Sequence, residues 1–429
     1  MKKLEAEYLR LFWKREKYQW EKYADSKKHN LNRIDSGIYN VLKKYKDIFL
    51  NKRDRWGKVF YSIFIRDFVD KSPSIARLRN YIDKQLISSK SVMKKDRARL
   101  AKIIRPHIIS LINLRNKKAR ELGYRSYPEL VFDAEELNIS EVVSIIDHSL
   151  RDNAVEYQSL LKKHGFCNYD EWFKVLRSIA AKDSYFIPTI LMNNIAQVMG
   201  FANEIPKLKL IIKEQPISGY AGILKVPNDI RILIKPDSSI YGRKVLCHEL
   251  GHALTHLFNK EKGIYQTWTT CFDEVMAVLI ERVCFHKTLL KRGLNTLNAE
   301  QLFSSYSEVK ILENTRCAIS FLFELALYND LEKPEELYIK YYSRLNIDLD
   351  NPEYWVLDTF RSIDPIYIHN YVLGDVLAKT IINILEKKVH SEPNTAWGDW
   401  MISKFYHDGR RRSLKSKIEA VGASLINQI

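Results

Sequence analysis

Residues 248–252 read His-Glu-Leu-Gly-His, and the positions around them are apolar: Val245, Leu246, Leu250, Ala253, Leu254, Leu257 and Phe258. A run of that spacing reads as a core-facing helix. On a helix, His248 and His252 are four residues apart and share a face. Burying two imidazoles and a carboxylate without partners is costly. The chain must fold so that something compensates them, and a metal ion does so. Two neutral imidazoles at this spacing hold one Zn²⁺, and Glu249 then reaches a water on it.

Catalytic zinc keeps three protein ligands and an open position. The expected third ligand is Glu274, in the apolar segment Cys271–Glu281, which reads as a second helix. Glu274 lies 22 residues after His252, room for a loop and the start of an antiparallel helix. Glu281, seven residues further on, shares the Glu274 face and is expected to accept a histidine N–H. Asp273 projects about 100° away from Glu274 and is the weaker ligand candidate. His256 continues the histidine face but stands too far along to join the ligands, so it reads as packing or outer support. One zinc per chain is expected. Such a metal activates water, Glu249 serves as general base, and the oxyanion still needs a donor such as Tyr, His or a backbone N–H.

The 46 % hydrophobic content of 429 residues is ample for a large core and two lobes. No run of about 18 apolar residues is present, so no membrane span is expected. The first residues, Met1-Lys2-Lys3-Leu4-Glu5, turn charged again at once and lack the apolar core of a secretory signal. Cys167, Cys247, Cys271, Cys284 and Cys317 show no metal-type spacing, which fits a reducing cytoplasm. The net charge of +17 is uneven: residues 1–130 hold 34 Lys and Arg against 14 Asp and Glu, and residues 131–429 hold 35 against 38. The basic residues alternate with apolar ones at helical spacing (Tyr8, Leu11, Phe12, Lys14, Tyr18), so they read as solvated helix faces. Nucleic acid is not an expected partner; no recognition motif accompanies the charge.

With 15 Gly and 12 Pro, the chain is mainly α. Helices are expected within 1–50 and at 58–70, 76–88, 92–122 (closed by Gly123), 140–164, 169–181 and 187–200. The exception is 207–235, where strands are expected at 207–212, 223–226 and 229–234. This small sheet immediately precedes the zinc helix. An extended peptide adds to a sheet edge, and Gly219, Tyr220, Ala221 and Gly222 form the expected substrate-binding stretch, with the two glycines permitting close approach. The division expected is a helical N-terminal lobe at 1–200, strongly basic to about residue 130, and a catalytic lobe at 201–429, with a soft boundary.

These residues resemble a known family. His248-Glu249-Leu250-Gly251-His252-Ala253-Leu254, followed by Phe272-Asp273-Glu274 and Glu281, is similar to the zinc site of the thimet oligopeptidase and oligopeptidase F peptidases, gluzincins of neurolysin-like fold. The segment 114–127 resembles the entry to their catalytic region. The segment 367–375, Tyr-Ile-His-Asn-Tyr-Val-Leu-Gly-Asp, resembles one whose His and Tyr residues bind substrate and stabilise the oxyanion. The stretches 405–409 and 420–422 resemble their C-terminal tail. The resemblance implies a two-lobed, zincin-like helical peptidase with a central channel that admits short peptides. It implies zinc on His248, His252 and Glu274, with Tyr371 as oxyanion donor, followed by His369 and Tyr367. The Tyr-x-Leu-Gly segment also recurs in the carboxypeptidase Taq group, so a zinc carboxypeptidase is the alternative. That alternative needs a cationic anchor, for which Arg410, Arg411 and Arg412 are candidates, although they read equally as a solvated turn. A non-catalytic peptide- or nucleic-acid-binding relative is the third reading, and the intact His248, Glu249, His252 and Glu274 argue against it.

Overall fold

Asp54, Asn138, Ser239 and Thr269 each accept a backbone N–H from the first turn of the helix that follows, which is how polar side chains fix where these helices begin. A computed structural model describes the chain except residues 1, 28, 52–53, 89–93, 166–175, 177–178, 180–186, 216, 294–295, 347, 350 and 425–429. The helices are α1 (Lys2–Ala24), α2 (Leu31–Lys44), α3 (Lys46–Asn51), α4 (Arg55–Asp70), α5 (Pro73–Ser88), α6 (Lys94–Glu121), α7 (Tyr127–Ala134), α8 (Ile139–His164) and α9 (Pro188–Met199). After three strands follow α10 (Ile240–Leu257), α11 (Thr270–Cys284), α12 (Lys287–Gly293), α13 (Thr296–Asn329), α14 (Pro334–Tyr342), α15 (His369–Lys388), α16 (Thr395–Met401) and α17 (Leu414–Ala420). The fold is mainly α with one small sheet, as the periodicity implies. Gly123, at φ +91°, follows α6 as its expected cap. The helix expected at 169–181 lies outside the described residues, apart from Leu176 and Ile179. Among the described residues no helix is long and apolar enough to cross a membrane.

The chain divides into two compact units. The first comprises Met1–Leu11, Asn30–Val175 and Thr315–His369. Its core contains Phe60 and Phe64 of α4, with Tyr8 edge-on to Phe60 at 6.0 Å. Arg115 is fully buried there and donates to the carbonyls of Arg361 and Ser362 at 3.2 and 2.7 Å.

The second unit comprises Phe12–His29, Leu176–Asn314 and Asn370–Ile429. Its sheet runs β1 (Lys209–Ile212), β3 (Asp229–Ile234), β2 (Gly219–Lys225) in space; β1 is parallel and β2 antiparallel to β3. The second strand starts at Gly219 rather than at 223, so the glycine stretch is itself strand and forms a sheet edge. Side chains alternate across that strand. Tyr220 and Gly222 face the aromatic residues of α1: Tyr220 stacks on Trp20 at 6.2 Å and meets Tyr23 edge-on at 5.4 Å. Gly219 and Ala221 face α10.

Candidate metal centre

Four contacts fix how α10 and α11 cross. His248 meets Glu281, Gly251 meets Ala277, His252 meets Glu274, and His256 meets Asp273. Numbers rise on one helix as they fall on the other, so the pair is antiparallel. Gly251 makes the crossing close: a Cβ there would lie 2.6 Å from the Ala277 Cα. A glycine inside a helix costs about 1 kcal/mol relative to alanine, and this approach accounts for it.

The crossing brings His248, His252 and Glu274 together, with one ligand atom of each inside a 4.8 Å cluster. The His248 Nε2 lies 3.2 Å from Glu274 Oε2, and the His252 Nε2 lies 3.6 Å from Glu274 Oε1. Each ring turns its other nitrogen to an outer carboxylate. His248 Nδ1 lies 3.2 Å from Glu281 Oε2. His252 Nδ1 lies 3.0 Å from Asp273 Oδ2, and the other oxygen of Asp273 lies 3.0 Å from His256 Nε2. Asp273 is therefore an orienting carboxylate. Its projection away from Glu274 is what aims it at the histidines, and seeing that from sequence requires knowing which way α11 crosses. His256, 2 % exposed, supports Asp273 and packs on Trp268 at 4.4 Å.

This donor set fits a divalent metal. Two Nε2 atoms and one carboxylate converge; Glu281 fixes the tautomer and ring plane of His248 by its hydrogen bond to Nδ1, and Asp273 faces His252 Nδ1 as a charge partner. The field is that of a cation site. Burial disfavours charge on His248, but Glu274 and Glu281 outweigh it and hold the imidazole up at about 10. Burial acts likewise on His252, where Asp273 and Glu274 prevail and hold it at about 9. Burial would also raise Glu281, yet Lys310, Lys244 and His248 keep it well below the usual carboxylate range.

Glu249 stands half-buried beside the sheet edge. A Cβ on Gly219 would lie 2.7 Å from Glu249 Oε1 and 2.5 Å from Val245 Cγ1, so glycine is what admits this carboxylate. The Ala221 N–H donates to it. Burial raises the Glu249 pKa above its ordinary value, against the opposing pull of His252 and His248. What approaches Gly222 is Trp20, whose ring would lie 2.1 Å from an added Cβ. Both glycines are thus occupied by the protein's own side chains.

The remaining expected residues are placed as follows. Tyr371, half-buried on α15, has its ring centroid 6.2 Å from that of His248. Tyr367 stacks on Phe360 at 5.7 Å in the first unit. His369 also belongs to the first unit and is completely buried between Phe132 and Phe321, with ring centroids 4.8 and 4.9 Å away and neither nitrogen hydrogen-bonded. In this arrangement neither ring nitrogen of His369 is exposed. Arg411 forms a bidentate pair with Glu261 at 2.6 Å, and Arg412 pairs with Asp408. Both cations are committed to local carboxylates. Tyr306 and Lys310, which hold Glu281, escaped the sequence reading; they stand among other polar residues of α13 (Ser304, Ser305, Ser307, Glu308, Glu313), so no local pattern singles them out.

No protein-family model and no curated protein matches this sequence. Solved structures do share the fold. The chain is similar to PZ peptidase A in an inhibitor complex (TM-score 0.72, 14 % identity, covering 92 % of this chain and 82 % of that one). It is also similar to the M32 carboxypeptidase of Deinococcus radiodurans (TM-score 0.69, 13 % identity, 99 % and 95 %). A protein named oligoendopeptidase F from Bacillus anthracis is a third such structure (TM-score 0.60, 15 % identity, 92 % and 80 %).

Proposed function

We propose that this chain is a zinc-dependent metallopeptidase that hydrolyses short peptides in the cytoplasm. The observation that carries the reading is the convergence of two imidazole Nε2 atoms and the Glu274 carboxylate, next to a half-buried Glu249 on a sheet edge. His248, His252 and Glu274 would hold the ion, and two imidazoles with one carboxylate suit zinc. When bound, zinc supplies a Lewis acid that lowers the pKa of water and polarises a carbonyl. Glu249 takes the proton from the attacking water on its carboxylate and returns it to the departing amine. The Gly219–Gly222 edge takes the peptide as an added strand. Tyr371 donates its hydroxyl to the oxyanion. The part of the chain from 201 to 429 carries all of these residues, and we assign catalysis to it. The described cysteines, Cys247, Cys271, Cys284 and Cys317, are buried thiols, the state a reducing cytoplasm maintains.

The carboxypeptidase reading is favoured by one observation: the chain spans 95 % of the M32 enzyme but 82 % of PZ peptidase A. Against it, Arg411 and Arg412 are engaged with Glu261 and Asp408 rather than open to a substrate carboxylate, and Arg410, the third candidate anchor, is buried at 7 % exposure. Digestion of a mixed peptide library, with and without a chelator and with free or amidated C-termini, tests both. Chelator-sensitive internal cleavage indifferent to amidation is expected. Cleavage abolished by amidation would shift the assignment to a carboxypeptidase, and cleavage indifferent to chelator would refute the metal role.

A further inference from the structure

Glu281 and Asp375 are each 1 % exposed, and buried carboxylates of that depth need cations. The cations and donors come largely from one face of α13. Tyr306, Lys310 and Asn314 recur every four residues and so lie along one stripe of that helix. The Tyr306 hydroxyl donates to Glu281 Oε1 at 2.8 Å, and Lys310 Nζ stands 3.3 Å from the same oxygen. Lys310 Nζ also stands 3.7 Å from Asp375 Oδ1, while Asn314 Nδ2 donates to Asp375 Oδ2 at 2.7 Å. Lys310 itself is only 5 % exposed, a depth lysine reaches almost solely when paired.

The two carboxylates sit on different helices, each one step from a residue of the proposed chemistry. Glu281, on α11, uses its other oxygen to hold His248 Nδ1. Asp375, on α15, is four residues after Tyr371 and so one turn along the same face. The helices touch closely here: a Cβ on Gly374 would lie 3.3 Å from the Glu274 carbonyl oxygen. Arg282, the neighbour of Glu281, closes the ring by donating from Nε to Asp375 Oδ1 at 2.6 Å.

We propose that Lys310 is a positioning residue: its ammonium, shared between Glu281 and Asp375, sets the His248 imidazole and the Tyr371 turn of α15 in one fixed relation to Glu274. It acts through these carboxylates. The inference rests on reading His248, His252 and Glu274 as a zinc site. Without the ammonium, Glu281 loses one of its closest charge partners and no longer holds His248 in one orientation. Loss of a ligand's direct outer partner costs about 10–100-fold in metal affinity, and loss of the cation that holds this partner is expected to reach about the lower end of that range.

The test is zinc affinity, measured by competition with a chelating dye, on wild type, Lys310→Met, Lys310→Arg and Tyr306→Phe, with kcat and KM at saturating zinc. Lys310→Met is expected to bind zinc about tenfold more weakly and, when saturated, to lose kcat more than KM. Lys310→Arg is expected to recover most of the affinity, because a guanidinium can also bridge two carboxylates. Tyr306→Phe keeps the ring and removes one hydrogen bond, so it gives a smaller loss in the same direction even where Lys310→Met fails to fold. Wild-type zinc affinity and kcat in a folded Lys310→Met, or in Tyr306→Phe should the lysine variant not fold, would overturn the positioning role alone. Wild type that takes up no zinc would overturn the metal reading, and the positioning role with it.

Discussion

Gly251 lies between the two histidines of the candidate site and faces α11, so Gly251→Ala perturbs the crossing that assembles the site. The added Cβ would lie 2.6 Å from the Ala277 Cα and 2.9 Å from the carbonyl oxygens of both Ala277 and Met276. Carbon contacts settle at about 3.5–4.0 Å, so the helices must part by roughly 1 Å. All three obstructing atoms are backbone, and no rotamer change can relieve them. Overpacking of this kind costs about 1–3 kcal/mol. The better helix propensity of alanine returns about 1 kcal/mol, so the fold should survive with a modest fall in melting temperature. The metal set should not fare as well. His248 and His252 come from α10 and Glu274 from α11, and ligand distances tolerate only about 0.2 Å. A shift several times larger should cost at least about tenfold in zinc affinity, or ~1.4 kcal/mol. Thermal unfolding with and without zinc, together with chelator competition, separates the two effects. A Gly251→Ala protein that binds zinc as tightly as wild type would refute the argument that this contact sets the ligand geometry.

Other outcomes follow from the same geometry. Glu249→Gln should keep its zinc while peptide cleavage falls by at least about 100-fold; near-normal turnover would remove Glu249 as general base. Glu274→Ala should bind zinc at least about tenfold more weakly, and unchanged metal content would put the third ligand elsewhere. Asp273→Asn should weaken zinc binding about tenfold by loosening His252, whereas unchanged affinity would make Asp273 simply a partner of His256. His369 gives a pH effect on stability. Burial, then the charge of Arg66, lowers its pKa to about 3. The unfolded imidazole takes up a proton below about pH 6.5 and the folded one does not, so this residue's contribution to stability is lost on acidification, by up to roughly 1.4 kcal/mol per unit. His369→Leu should therefore flatten the stability profile between about pH 6.5 and 4 relative to wild type, as read by denaturant unfolding; parallel profiles would show that the buried ring titrates normally.

Much of the site was legible in residue order because it depends on short-range periodicity. Four-residue spacing puts His248 and His252 on one helix face whatever surrounds them, and seven-residue spacing does the same for Glu274 and Glu281. Hydrophobic alternation located the three strands, although the second begins four residues earlier, at Gly219. A glycine-rich stretch carries little alternation, and here it is Trp20 and Glu249 that pack against it.

The tertiary structure decided whatever depends on how helices cross. Asp273 orients His252 only because α11 runs antiparallel to α10 at this register. His369 and Tyr371 are neighbours in sequence, yet one is sealed between Phe132 and Phe321 while the other has its ring 6.2 Å from His248. Lys310 joins Glu281 and Asp375 across 29 and 65 residues of chain, a proximity no local pattern encodes. The candidate donor set was written in local spacing, because helix periodicity places side chains four and seven residues apart on one face; the supports around those donors were set by packing, because a buried charge is held by whatever side chain the fold brings within reach.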